Sequence, residues 1–451
     1  MLLDLRFQAW RRAALLCLAL LLPVLAGAPV RAQEAAPPAA ASQGEPGSEL
    51  TVYLLTMGPG DLVYERFGHN ALWIQDAPRG TDIAYNYGIF DFNQENFILR
   101  FVQGRMWYWM DGFDAFRTLD PYVWDDRSVW VQELNLTPRQ KAELRDFLEW
   151  NAQEENRFYR YDYYRDNCST RVRDALDHVL GGQLRAQTEN VPSGTTYRSH
   201  TRRLTTNDVP IYTGLNVGLG QGVDREISAW EEMFLPLKLR EHARTLTIRG
   251  EDGREIPLVR AEQTLYQSSR DPIREAPPSW IPGYLLAGAL LGGLLALLGY
   301  AAPRHRTARF GFAALAALWA LLAGTFGVML TGLWAFTDHA AAYANENLFQ
   351  MNPLVLPLVL LVPALAYGVR WAARPALWLS FAVAALSLLG LLLKLLPGFF
   401  QVNGEVIALV LPVYLGLAWA VYYLSDALHR RPAAPPPASP APPRRRGAPA
   451  C

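Results

Sequence analysis

The residue in this chain best suited to covalent chemistry is Cys168, inside YDYYRDNCSTRVRDALDHVLGG (Tyr161 to Gly182). Downstream of it, Val172, Ala175, Leu176, Val179 and Leu180 recur at helical spacing and share one face. Asp166 or Asn167 can cap the start of that helix, and Gly181 fits just past its end. Cys168 therefore falls in the first turn, where unpaired N–H groups and the helix dipole favour thiolate over thiol. A depressed thiol pKa is what a cysteine nucleophile needs. The competing reading is a small buried residue that packs the helix onto a sheet. His178 lies toward the far end of the same helix and reads as a surface residue or dipole partner rather than a base. His178, His200 and His242 are scattered, with no paired Cys–His spacing, so a metal site does not fit. No glycine-rich phosphate loop is present, and no cofactor is expected.

The elements that would position this thiol come from local patterns. Thr51 to Thr56, followed by Gly58-Pro59-Gly60, reads as a strand and a turn. In YERFGHNALWI, His69 to Ile74 reads as a strand buried on both faces. Ile83 to Phe92 is a second strand, bearing Asn86 and Asp91, and Val129 to Leu136 a third. FILRFVQGRMWYW (Phe97 to Trp109) packs into the core or, on a second reading, turns rings toward lipid. Thr137-Pro138 opens a helix that runs to about Glu154. The chain is loop-rich from Gly182 to Thr206, and Leu246 to Val259, with its Asp-Gly pair, reads as a hairpin. Glu231 to Pro236 (EEMFLP) gives no physical reading.

Acidic and basic residues are equal in number, 42 each, so net charge says nothing about nucleic acid, and there is no basic patch with interleaved aromatics; no nucleic-acid partner is expected. Apolar content is unevenly spread and divides the chain. Residues 1–32 read as a secretory signal, with Arg11-Arg12 before an apolar run that contains Cys17. An uncleaved first membrane helix is the rival reading there. Residues 33–49 read as a disordered leader, 50–265 as an exported domain, 266–280 as a linker and 281–424 as a membrane domain. A basic, Pro-rich tail covers 425–451. Five apolar segments near 281–301, 310–334, 353–372, 375–396 and 405–424 approach the roughly 20 residues that span a bilayer. Basic residues cluster at 303–309, at Arg370 and Arg374, and in the tail, which places those ends in the cytoplasm. The loop 335–352 then lies outside, on the same side as Cys168, as an ordinary connection or a polar platform beneath the exported domain. Lys394, near the outer end of the fourth span, reads as a snorkelling side chain.

GPGDLVYERFGHNALWI, YNYGIFDF and YDYYRDNCSTRVRDALD together resemble the Lnb periplasmic-domain family, and NENLFQMNPL resembles its membrane-half motif. More remotely, a histidine strand followed by Asn-Cys at a helix start is similar to the circularly permuted papain-like superfamily, which includes NlpC-type peptidases and lecithin–retinol acyltransferases. The resemblance implies an α+β permuted papain-like extracytoplasmic domain followed by an all-α domain of five transmembrane helices. It implies Cys168 as nucleophile and His69 as its base, with Asn86 or Asp91 orienting the histidine. Candidate substrate-binding residues are Tyr64, Asn167 and Arg171 in the soluble motifs and Asn347 and Asn352 in the loop. The implied activity moves an acyl chain from a phospholipid, through a Cys168 thioester, to the N-terminal amine of a diacylglyceryl lipoprotein, in the bacterial inner membrane. Two alternatives stand beside it: a tethered hydrolase or amidase acting on cell-wall peptides or lipids, and a non-enzymatic lipid-binding protein.

Overall fold

The computed structural model describes residues 45–430. The expected signal segment, the leader up to Gly44 and the tail from residue 431 lie outside the described residues.

Alternating side chains fold the first half into a seven-stranded sheet. Its strands are β1 (Leu50–Met57), β2 (His69–Asp76), β3 (Thr81–Ile89), β4 (Trp107–Asp114), β5 (Val129–Leu134), β6 (Phe158–Arg160) and β7 (Val259–Tyr266). They lie in the order β7-β5-β1-β2-β3-β4-β6, and every pairing is antiparallel. β1, β2, β3 and β5 stand where the sequence patterns place them. β4, β6 and β7 are additional.

The two faces of the sheet bury different sets. Leu54, Leu72, Tyr85 and Met110 form one core with Val172 and Leu176 of helix α4 (Cys168–Val179). Leu55, Ala71, Trp73 and Ala84 form another with Ala115 and Leu119 of helix α2 (Ala115–Trp124). Val172 and Leu176 are wholly shielded from solvent, which contributes about 1.5–3 kcal/mol each. Helix α3 (Pro138–Asn151) starts with a capping box between Thr137 and Gln140 and buries Leu144 and Leu148 in the α4 core.

Two expectations are overturned here. Phe97 to Gln103 forms a short helix, α1, with no buried residue, so this stretch is not core. Only the end of the aromatic run enters the sheet, as β4. The stretch after Gly182 is structured rather than loop-rich. It holds helices Gln183–Thr188 and Tyr197–Leu204 and a strand, Pro192–Thr196, paired with Glu226–Ser228. Thr196 caps the second helix through a capping box with Ser199, a local signal that the Ser/Thr-rich composition masks.

The second half is helical. Helices α5 (Ile281–Ala301), α6 (Arg306–Phe336), α7 (Arg370–Leu392) and α8 (Gly404–His429) are long and apolar enough to cross a membrane. The expected third span is a bent pair, Glu346–Val355 and Leu358–Ala366, at 57°. Pro353 and Pro357 each remove a helical N–H donor at that break. The described chain thus holds four candidate spans, or five if the bent pair counts as one. Residues 425–429, expected in the tail, complete α8. α5 and α8 meet at glycines: a Cβ on Gly292 would stand 2.3 Å from the Pro412 carbonyl oxygen, and one on Gly416 2.1 Å from that of Gly292. Small residues let membrane helices approach this closely.

A polar seam joins the halves. Buried Glu405, in the first turn of α8, accepts from Arg202 (2.7 Å), the Tyr212 hydroxyl (2.9 Å), Asn216 (3.1 Å) and the Trp280 amide (2.9 Å). Lys394 does not snorkel. It pairs with Glu346 and donates to the Gln401 carbonyl at 2.7 Å. The 335–352 loop is a polar platform: Asn345 and Asn347 both donate to the Val217 carbonyl of the helix Val209–Gly218.

Candidate functional site

Cys168 is the first residue of α4, and Asn167 is its cap. The Asn167 side-chain oxygen accepts from the Ser169 and Thr170 amides at 2.9 and 3.0 Å, and its nitrogen donates to the Tyr163 and Phe234 carbonyls. All four bonds hold the helix start in place. The next turn is locked as firmly. The Ser169 hydroxyl lies 2.9 Å from the Asn70 side-chain oxygen and 2.7 Å from the Met233 carbonyl, and Asn70 donates to Thr56 and to the Leu55 carbonyl. α4 is thereby fixed to β1, β2 and the Met233–Phe234 segment. EEMFLP, unreadable in sequence, works through its backbone: Met233 and Phe234 offer carbonyls to Ser169 and Asn167, and Trp230, just before it, offers its own to Arg173. Its Glu232 carboxylate collects His200 at 3.0 Å and His242 at 2.9 Å, so two histidines far apart in sequence converge on one strut. Burial opposes the ionised Glu232, but the two imidazole donors outweigh it and hold the carboxyl well below the usual range.

Register brings the histidine to the same end of the sheet. β2 and β3 pair Ala71 with Asn86, and continuing that register sets His69 opposite Gly88. Gly88 has φ +87°, and a Cβ built on it would lie 3.3 Å from the Cys168 Cβ. Gly88 is thus the β3 position that packs against the thiol, two residues from Asn86. A side chain at 88 would be strained by its backbone and pressed against Cys168.

His69 Nε2 lies 3.1 Å from Asn86 Oδ1. Asn86 already donates its Nδ2 to the Ala84 carbonyl at 3.0 Å, so its oxygen is the acceptor and Nε2 carries the proton. Nδ1 then keeps its lone pair, the arrangement a base requires. Between the two candidates for the orienting group, the structure puts Asn86 at the ring. Asp91 is exposed in the turn after β3 and bonds to Asn93.

The electrostatics differ from expectation. Burial pushes the Cys168 thiol up to about 11. The backbone amides of Asn70, Ser169 and Cys168 itself, and the charge of Arg127, pull the other way without prevailing. Burial likewise lowers His69 to about 4; its bond to Asn86 opposes this and Arg127 reinforces it. The helix start therefore does not yield a resting thiolate, because desolvation outweighs the dipole at a buried sulfur. The pair rests neutral, so any deprotonation must accompany attack.

Arg127 and Tyr122 were not visible as site residues in the sequence. The Tyr122 ring stacks on His69 at 6.1 Å and 11°, and the Arg127 guanidinium sits 4.6 Å from the centroid of the same Tyr122 ring. Arg127 is buried, donates to the Gly58 carbonyl at 2.9 Å and pairs with Glu65 at 3.6 Å. No local pattern marks either residue, because the contact forms only when α2 folds over β2.

The remaining candidates fall in three places. Tyr64 is exposed and edge-on to Phe90, which leads through Tyr108 to Tyr161, a ring within 3.8 Å of the position of a Gly88 Cβ. Arg171 is engaged by Asp166 and lies 4.3 Å over Tyr159. Asn347 and Asn352 are in the membrane-side seam: Asn347 bonds to Asn403 and to two carbonyls of the helix Val209–Gly218, while Asn352 is buried with neither amide atom bonded. A cavity of about 470 Å³ adjoins the thiol end of the sheet, lined by Tyr161, Tyr163 and Asp166 on one side and by Asp338, His339 and Tyr343 of the loop on the other. It opens where the soluble half meets the helical half.

No curated protein and no solved structure matches the chain. Residues 42–203, which hold both His69 and Cys168, match the family model described as the Lnb N-terminal periplasmic domain, a likeness that covers this segment of the chain.

Proposed function

We propose that this protein is a membrane-bound thiol acyltransferase of the inner membrane, with a permuted papain-like domain in the periplasm. The observation that carries the reading is Cys168 at a helix start packed against Gly88 of β3, the strand whose Asn86 holds His69, with a cavity lined by Tyr161 at the junction with candidate membrane-spanning helices. The Cys168 sulfur attacks an acyl-ester carbonyl of a phospholipid while His69 Nδ1 takes the thiol proton. The amides directed at the sulfur stabilise the charge that develops during transfer. The ester C–O bond breaks, and His69 returns the proton to the departing lysophospholipid alcohol. The neutral α-amine of a diacylglyceryl lipoprotein then attacks the thioester. His69 takes a proton from that amine and gives it to the departing sulfur, which restores the thiol. Both substrates are confined to a bilayer, which accounts for a thiol domain built onto several spans.

The direct test is mass spectrometry of lipoproteins from a deletion strain. Loss of the N-linked acyl chain, restored by the wild-type gene and not by C168A, is expected. Unchanged lipoproteins overturn the reading, and release of free fatty acid or cleaved wall peptide by purified protein indicates a hydrolase. One observation favours a non-enzymatic reading: Cys168 belongs to the apolar core on its face of the sheet. Full acylation by C168A would establish that packing role.

A further inference from the structure

Helix α1, FILRFVQ, has no buried residue, and its apolar side chains have no place in either core of the sheet. Ile98 is 77 % exposed, and Leu99, Phe101 and Val102 are about as open as each other at 55, 47 and 54 %. Left in water, such a cluster is unfavourable, and it is larger than the scattered apolar residues normal on a soluble surface. Its position indicates what covers it. The Gln103 carbonyl accepts from the Asp338 amide at 2.8 Å, and the Phe101 carbonyl accepts from His339 Nε2 at 2.8 Å. Asp338 and His339 directly follow the end of the membrane helix α6 at Phe336. Gly104 lies so close that a Cβ there would stand 2.9 Å from the His339 nitrogen. The apolar surface continues onto α6 through the exposed Trp334 and Phe336.

We propose that α1 is immersed in the periplasmic leaflet of the bilayer and forms the lip over which a phospholipid acyl chain passes into the cavity beside Cys168. The second half of that statement rests on the acyl-transfer reading; the immersion does not. Continuity with the α6 surface commits the occupant to lipid rather than to a protein. The charges agree with that depth. Arg100, within α1, makes no side-chain bond among the described residues, and Arg105 and Arg160 share Asp338 just beyond it, at the level where lipid phosphates lie. The cavity begins where α1 ends, since Gly104 and Met106 line it, and Tyr161 forms part of its wall and flanks Gly88 at the thiol.

The test is a spin label at Leu99→Cys in a chain with Cys17, Cys168 and Cys451 replaced by Ser, reconstituted in phosphatidylethanolamine–phosphatidylglycerol nanodiscs. A second label at exposed Val191→Cys, in the soluble domain, is the reference. Collision with oxygen should exceed collision with a water-soluble nickel chelate at 99 and fall below it at 191. A water-like balance at 99 overturns immersion. So does protection from both reagents, which would mean that a second copy or another protein covers the helix. Separately, L99D/V102D in the native-cysteine chain should raise KM for bilayer phospholipid about tenfold and leave kcat with a detergent-soluble short-chain donor unchanged. Equal KM values overturn the lip. If the native chain transfers no acyl group while the label at 99 reports lipid, the acyl-transfer reading and the lip fail and the immersion stands.

Discussion

The thiol end of the sheet and the seam around Glu405 are both buried and polar, yet they handle their polar groups in opposite ways. At the seam, Glu405 accepts from four donors, and Lys394 answers Glu346. At the thiol, burial drives both partners toward their uncharged forms, and His69 Nδ1 and the sulfur are left uncommitted to other side chains. Paired buried charges fix one geometry but are costly to break. Neutral groups with a spare lone pair do little for stability and are free to exchange a proton. On physical grounds the contrast separates a joint from the proposed reaction centre.

That separation can be broken by mutation. C168A should lower acyl transfer at least about 10³-fold while the melting temperature stays close to wild type, read by lipoprotein mass spectrometry and thermal melts. E405A should do the reverse kind of damage. It removes the buried carboxylate that partly buried Arg202, Tyr212, Asn216 and the Trp280 amide share, costs about 3–5 kcal/mol in denaturant unfolding, and affects activity only through loss of folded protein. If E405A proves as stable as wild type, the seam is not a joint. N86A should reduce kcat about 10–100-fold with a smaller change in KM, because the ring loses its tautomer and orientation rather than its presence. R127M removes the cation that favours the thiolate, so the pH at which Cys168 reacts with iodoacetamide should move above the wild-type value. The wild-type alkylation rate itself should climb toward about pH 11, with no step between 5 and 8, since neither partner titrates there. The smallest effect is expected from N352L, whose native amide atoms are buried without partners, so the apolar replacement should be neutral or slightly stabilising.

One stability effect sharpens the comparison further. His69 has its folded pKa depressed below the unfolded value of about 6.5. The unfolded chain therefore binds the extra proton first as pH falls, so this group's contribution is complete above about pH 6.5 and is lost progressively down to about 4. H69Q should show a shallower loss of melting temperature than wild type across that window.

Local signals made α4, a cap at Asp166 or Asn167, β1 to β3 and the Asp-Gly hairpin readable from sequence, because caps and periodicity belong to neighbouring residues. β7 was not readable: VRAEQTLY is an edge strand, largely exposed, with no apolar alternation to announce it. Asn86 could not be told from Asp91 because the choice depends on cross-strand register, a long-range property. The thiol pKa was misjudged for a related reason. The dipole is visible in the sequence of a helix start, whereas the burial that outweighs it comes from strands a hundred residues away. EEMFLP was opaque because its side-chain identities matter less at the thiol than its carbonyls.

The glycine contact between α5 and α8 bears on how a lipid could reach the interior from the side. With the Gly416 backbone against that of Gly292, no layer of side chains lies between these two helices to rearrange or slide. Parting these two helices would break that direct backbone packing, so a side entrance between them is disfavoured.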